Sequence, residues 1–445
     1  MTADLADAAP RPWHRLLTET AFGRFFLGRT LSSAGVWVHN VTAAVLAFEL
    51  TRSAFVVGLV SVAQFVPQLV LAPLSGAMAD RGSRKRQVIA GRIVVAAGSG
   101  LFGLWLWLTD TSDQVQTVLL LCSALTVGIG FVTGGPAMHA MVATLVRPNE
   151  IASAVSLNTA PITLARSLGP VIGTSIALAL SPAAAFGVAA LSNLAFAALL
   201  VRMDVPPRRV KAGEDHSVRA GVVYVVRERA VLYLLLGVAA IGIGADPAIT
   251  LAPSISASLG HGSSYTGTFA SAFGIGSGVA FLLIPLLRRF LGQAGYGTLG
   301  LLLMGVGLVV CVLPWLTVWW AAAGFVVGGL GMTLALTSLT AQMQEILPDD
   351  VRGRVMAFWS MGFLGSRPLA AALDGAVADL VSVEAALLLV ALLLVAAAWL
   401  CSPRVLARAA ARGLPSAGSA DSTSSSSTEA HPPADRSGTD DERTA

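Results

Sequence analysis

Residues 73–86 read PLSGAMADRGSRKR, with four cations and one carboxylate between Asp80 and Arg86. The chain on either side is apolar, over residues 54–79 before and 88–108 after. Runs of about 20 apolar residues cross roughly 30 Å of hydrocarbon as a helix rising about 1.5 Å per residue. A helix, unlike an open strand, satisfies its own backbone polar groups where no water can do so. The stretch therefore reads as a tight basic turn between two membrane-crossing helices. Its excess of Lys and Arg places it on the cytoplasmic side.

Outward from this turn the same pattern repeats. Further apolar runs lie near 22–48, 115–146, 152–180 and 183–202, and after a polar break near 230–257, 264–287, 296–314, 317–346, 353–378 and 384–402. With the first two they make twelve. Among 445 residues 55% are hydrophobic and 12% charged, whereas soluble domains carry about 25% charge. A water-facing surface cannot be covered with so few charged side chains. The fold class is accordingly an all-α membrane protein of twelve transmembrane helices.

Charge is distributed by loop. VRPNE from Val146, RMDVPPRRVKAGEDHSVR from Arg202, RRF from Arg288 and PDDVRGR from Pro348 fall on the same side as the first basic turn. Arg11, Arg15, Arg404, Arg408 and Arg412 put both termini there too. The alternate loops, such as LTDTSDQ from Leu108 and LGHGSSY from Leu259, hold almost no Lys or Arg, Arg52 being the exception. This predicts a multi-pass cell-membrane protein with cytoplasmic termini. The net charge of +4 is thus topological and gives no support to nucleic-acid binding. The N-terminus, with two Asp and two Pro before Trp13, lacks the apolar core of a cleavable signal. Cys122, Cys311 and Cys401 stand alone in apolar runs and suggest no metal or redox site.

The chain also divides in two. Pro148-Asn149-Glu150 opens the fifth helix and Pro348-Asp349-Asp350 the eleventh, 200 positions later. The expected organisation is a cytoplasmic segment 1–20, a six-helix bundle 21–202, a cytoplasmic loop 203–229, a second six-helix bundle 230–403 and a disordered tail 404–445. Within the loop, GVVYVVRERAVLY from Gly221 has the pattern of an amphipathic surface helix. The tail is Ser-, Asp- and Pro-rich.

Gly76, Asp80, Arg81, Gly82, Arg84 and Lys85 resemble the signature that major facilitator superfamily transporters carry between helices 2 and 3. Within that superfamily the chain resembles the drug- and siderophore-exporter branch, which includes enterobactin exporters and macrolide-efflux proteins. FLGRTLSSAG from Phe26, TRSAFVVGLV from Thr51, QFVP from Gln64 and RGRVM from Arg352 carry that likeness. The resemblance implies two pseudo-repeats of six helices around a midplane cavity, with helices 1, 4, 7 and 10 lining it and 2, 5, 8 and 11 forming the seam. It also implies that Asp80 latches helix 2 to the start of helix 11, where Arg352 and Arg354 are its candidate partners. The corresponding second-half turn reads LLRRFLGQ from Leu286 and lacks the Asp. ARSLGPVIG from Ala165 resembles the helix-5 pattern of antiporter-type members. There Pro170 removes a backbone donor and kinks the helix, while Gly169 and Gly173 permit tight packing against the other half.

Ionisable and polar groups at membrane depth are costly and mark function. Arg29 and His39 fall in the first helix, His139 in the fourth, and Asn158 and Arg166 in the fifth; Asp246 falls in the seventh, and Arg367 and Asp374 in the eleventh. Arg29 is near enough to the inner surface to snorkel. Arg166 lies deeper and needs a carboxylate, a carbonyl or an anionic substrate. Arg367 and Asp374 are seven residues apart, too far for a direct pair, and are expected to pair across the seam. Asp246 either caps a helix broken at Pro247 or takes up a proton, since burial disfavours a charged carboxylate. His39 and His139 are titratable alternatives or hydrogen-bonded packing residues. Together with the resemblance these residues imply a proton-coupled exporter of a small amphiphilic organic compound, monomeric and without cofactor or metal. An importer or uniporter of the same fold, or a non-transporting membrane sensor, is the alternative; no nucleophile–base or metal grouping indicates an enzyme.

Overall fold

The structure is a computed structural model that describes residues 11–18, 21–158, 160–205, 224–313, 317–347 and 349–413, with the side chains of several helix-end residues, Asp80, Arg81, Arg352 and Arg354 among them, outside that description. After a short helix Trp13–Thr18, the first six spans are α1 (Ala21–Thr51), α2 (Ala54–Arg81), α3 (Arg84–Leu108), α4 (Asp113–Met141), α5 (Ile151–Leu157 and Ala160–Ala179) and α6 (Pro182–Val201). The second six begin with α7, built of Arg229–Gly244, Pro247–Thr250 and Ala252–Ser258. One continuous stretch, Thr266–Val310, supplies both α8 and α9, which meet at Gly292, where φ is 68° and ψ is 176°. That backbone conformation is essentially restricted to glycine. α10 (Val318–Ile346), α11 (Asp349–Leu380) and α12 (Val383–Leu400) complete the set.

Among the described residues, ten helices are long and apolar enough to cross a membrane by length and composition. Dividing Thr266–Val310 at Gly292 and adding the polar but 32-residue α11 gives twelve. The twelve-helix expectation therefore stands, and the described residues form helices without strands. Sequence boundaries miss mainly at breaks, because apolar length does not reveal where a helix stops hydrogen-bonding and restarts.

Two local expectations change. The segment from Gly221 is not one surface helix: residues 224–227 make a single turn, a break follows at Glu228, and α7 begins at Arg229. Residues 221–223 lie outside the description, as do 414–445. The tail expected to be disordered from 404 begins instead with a helix, Pro403–Gly413, whose Leu406 and Ala409 are buried. Apolar residues one turn apart on an otherwise arginine-rich helix give it a face to dock.

Ladders between loops hold the arginine-rich face together. Arg84 donates to the Ala140 carbonyl at the end of α4 (3.1 Å), and Lys85 to the Val201 and Met203 carbonyls at the end of α6 (3.1 and 2.6 Å). Cations belong at helix C-termini, where carbonyls lack intrahelical partners. These two residues, at the start of α3, thus clamp the ends of α4 and α6. Nearby, Arg11 grips Glu150 through Nε–Oε1 and Nη2–Oε2 bonds of 2.7 Å each, and the Arg147 amide adds a bond to Oε2 at 3.1 Å. The Arg11 hydrogen bonds hold the Glu150 carboxyl down at about 2, against burial, which pushes it up.

A group whose folded pKa is depressed stabilises above its unfolded value and loses that contribution as pH falls. Glu150→Gln should therefore lower the melting temperature of the purified protein at neutral pH by about 2–4 °C. The difference from wild type should shrink as pH falls from about 4.5 towards 2. A gap that stays constant over this range would show that the carboxylate's charge is not what holds the N-terminal segment.

Candidate functional site

The two bundles meet along two pairs of antiparallel helices, α2 with α11 and α5 with α8. A methyl group built on Gly58 would lie 2.2 Å from the Ala371 carbonyl oxygen, and one on Gly375 2.6 Å from that of Ala54. Across the other seam, Gly267 faces the Pro170 carbonyl at 2.5 Å and Gly274 that of Arg166 at 2.4 Å. No side chain fits at these positions, so backbone packs on backbone, as expected where lipid removes any hydrophobic drive between helices. Gly169 and Gly173, expected at this seam, instead face Trp37 and Val38 of α1 within their own bundle. The seam glycines of the α5–α8 pair come from α8. Among the described residues nothing lies within 4 Å of a methyl group built on Gly76.

At the face opposite the arginine-rich loops the bundles are tied together. Asp379, at the end of α11, accepts from the Ser53 hydroxyl and from the Ala54 and Phe55 amides, the last two at 2.8 and 3.1 Å. The carboxylate of one bundle thus caps the N-terminus of α2 in the other, where unpaired amides and the helix dipole both favour an anion. Ser263, before α8, donates to Glu49 at the end of α1. Below these bonds the Ser61 and Thr250 hydroxyls approach to 3.5 Å. Towards the arginine-rich face the described seam contacts run as far as Gly365 on Leu69 and Gly278 on Thr163. Beyond that level His139 is exposed and Gly135 has open space beside it.

Between the seams lies a small cavity lined by Trp37, Arg166, Ala248, Phe273, Phe363 and Arg367, among others. Arg166 comes from α5 and Arg367 from α11, so each bundle contributes one guanidinium. Each rests on an aromatic ring: Arg166 over Trp37 at 5.6 Å, Arg367 over Phe65 at 4.7 Å. Such stacking stabilises a cation that has left water. Arg166 also points Nη1 at the Met332 sulfur, 3.4 Å away. Neither forms an ion pair among the described residues, and the Nε atom of each is buried without a hydrogen bond.

Beside the cavity are two carboxylates. Asp246 is 1% exposed and does not cap the helix that starts at Pro247. Both its oxygens, like those of Asp374, lack a partner at hydrogen-bond distance. Electrostatic influence runs in a chain, from Arg166 to Arg367, from Arg367 to Asp246 and from Asp246 to Asp374. Among the described residues, the ion pairs expected across the seam for Arg367 and Asp374 are replaced by a row of four ionisable groups on α5, α11 and α7. Asp246 and Arg367 meet because α7 and α11 pack in one bundle, which linear spacing could not reveal.

The other candidates separate. His39 is fully buried, shares a 3.0 Å hydrogen bond between Nδ1 and the Ser99 hydroxyl, and stands edge-on to Phe186. Asn158 is buried at the end of the first segment of α5. Arg29 does not snorkel; it is 1% exposed inside the first bundle. There it lies near Arg92 of α3, which the sequence reading missed because it follows the basic turn closely and blends with it. The proposed partners of Asp80 lie outside the described side chains.

Residues 12–431 match the family described as Transmembrane secretion effector. The chain belongs to this branch of the major facilitator superfamily. No curated protein matches it. Among solved structures, a bacterial homologue of the human lysosomal transporter Spinster, in an inward-facing and unoccupied conformation, is 14% identical. It covers 92% of this chain and 100% of its own, with a TM-score of 0.70. The nucleoside transporter NupG (11% identity, 86% and 98% coverage, TM-score 0.70) and a bacterial homologue of the iron transporter ferroportin in an inward-facing state (15%, 88% and 99%, 0.67) share the fold. The chain is thus a membrane transporter of the major facilitator fold.

The Asp379 cap gives a direct test of the seal. In a background lacking the native cysteines, a reporter Ser61→Cys should react slowly with a membrane-impermeant maleimide applied from the Asp379 side. Asp379→Asn removes the charge but keeps the size, and should raise that rate by roughly tenfold, the equivalent of one lost charge-assisted hydrogen bond. An unchanged rate would mean the cap does not hold the bundles closed.

Proposed function

We propose that this transporter exports a small amphiphilic organic compound, a drug, siderophore or other natural product, from the cytoplasm by alternating access, in exchange for protons. Its arginine-rich face and both termini are cytoplasmic in this reading. The observation that carries it is the arrangement at the seam: bundles tied by Asp379 at the face opposite the arginine-rich loops, with unpaired charges from both halves at the cavity between. This is the disposition of a carrier that accepts its substrate from the cytoplasm, the side faced by the Spinster and ferroportin homologues. Export rather than import rests on the resemblance to the exporter branch and on the family described as secretion effectors.

Asp246 is the proton carrier in this scheme. Its buried carboxylate lies beside the Thr250 hydroxyl, with Arg367 within electrostatic reach. A substrate donor that bonds the ionised carboxylate competes with a proton for the same oxygens, and that competition is what exchange requires. Aromatic Trp37, Phe273 and Phe363 supply the apolar wall. In the outward-facing state Asp80, at the end of α2, takes the place at the N-terminus of α11 that Asp379 holds at the N-terminus of α2. The seam helices are antiparallel, so in this scheme the Asp80 end of α2 meets the start of α11 when that end of the seam closes, and the two caps alternate.

Reconstituted into vesicles with an imposed proton gradient, the Asp246→Asn variant should lose uphill transport yet retain substrate counterflow, because a neutral amide imitates the protonated state. Transport with unaltered pH dependence in this variant would remove Asp246 from the coupling. Asp80→Asn should cut transport at least tenfold at normal production. Full activity there reduces the basic turn to the helix clamp formed by Arg84 and Lys85.

A further inference from the structure

The described part of the first bundle buries two arginines with no acid to match them. Arg29 of α1 is 1% exposed and Arg92 of α3 is 2% exposed. The one carboxylate buried in this bundle, Glu150, is taken by Arg11. Arg92 donates Nη1 to the Ser32 hydroxyl at 2.9 Å and to Asn193 Oδ1 at 3.4 Å, and it lies over the Phe131 ring at 5.9 Å. Its Nε and Nη2 have no partner, and neither do Nε and Nη1 of Arg29. The two guanidinium groups are close enough to repel, and Arg29 acts likewise on His139 of α4. His139 is exposed.

Such an arrangement is unfavourable as it stands. A buried charge left without a partner costs several kcal/mol, and here two like charges share one interior with four orphaned donors. A second shell is already in place: Ser32 donates to Asn193 Oδ1 at 2.7 Å, and Asn193 donates to the Ala189 carbonyl at 2.8 Å, fixing the acceptor that holds Arg92. Preorganised donors with an unmet valence describe a site for an oxyanion. The charge row at the seam does not use these residues.

We propose that Arg29, Arg92 and His139 form an oxyanion site that receives a carboxylate or similar acidic group of the transported compound. The assignment rests on the transport reading above and narrows its substrate class to organic acids. Arg29 lies eight residues before Trp37 in α1, or about 12 Å along the helix. A compound that reaches both this site and the aromatic cavity is therefore elongated, with its acidic end towards the cytoplasm.

The test reads binding without transport. Titrated calorimetrically into the purified full-length protein in non-ionic detergent, benzoate should bind wild type while its neutral isostere benzamide should not. Arg29→Gln and Arg92→Gln should each weaken benzoate at least tenfold, whereas Arg24→Gln, an exposed arginine of the same helix, should leave it unchanged. Without ligand, Arg29→Gln should melt no lower than wild type, since it removes an unpaired charge; an arginine held for structure alone would melt lower. If Arg29→Gln does not fold, Arg29→Lys should keep the preference for benzoate over benzamide. Equal binding of the two probes, or unchanged benzoate affinity in both glutamine variants, overturns the site. Benzoate binding in phosphatidylcholine nanodiscs that disappears when phosphatidylglycerol is added assigns the site to a lipid headgroup and overturns the substrate role. Intact benzoate binding in a protein that moves no organic acid would count against the transport reading alone.

Discussion

Backbone contact across the seam is the constraint from which the rest follows. Where Gly58 meets Ala371 and Gly274 meets Arg166, a single added methyl would collide with a carbonyl. Helices that close leave no room for side chains between them, so the polar groups of α5 and α11 are turned into the interior beside the seam. Arg166 and Arg367 are there for that reason, each shielded by an aromatic ring rather than by an acid. The same smoothness lets the surfaces part without unlocking interdigitated side chains. At one end the hydrogen bonds at Asp379 add to this backbone packing.

Much of the architecture was legible in the sequence because lipid imposes simple rules. Run length, the segregation of Lys and Arg among alternate loops, and the recurrence of Pro-Asn-Glu as Pro-Asp-Asp each express a physical requirement of spanning a bilayer. The site was only partly legible. Asp246, Arg166 and Arg367 stood out as costly ions, but their order in a charge row depends on how α7 and α11 pack. Arg92 was invisible because a cation eight residues into a helix that begins Arg-Lys-Arg looks like the end of a basic turn. Gly169 and Gly173 were assigned to the wrong neighbour, since a glycine reports that something comes close without saying what.

The basic turn at Asp80 has two separable layers. Arg84 and Lys85 saturate carbonyls at the ends of α4 and α6, work that any state of the transporter needs. Asp80 serves in only one state under the proposed cycle. A sequence signature that combines a permanent clamp with a conditional latch will tolerate substitutions unevenly, and the phenotype of each change indicates which layer it touches.

Gly292 bears on how the second bundle moves. Most helical hairpins are joined by several residues whose slack absorbs small rotations. Here α8 passes into α9 through one residue in a glycine-only conformation. Under the proposed cycle this one-residue joint couples the two helices, so that a tilt of α8 against α5 carries α9 with it. The second bundle is then a stiff rotor on that side, and the bending needed for a full stroke must be found elsewhere, at the broken segments of α7 and at Pro368 of α11.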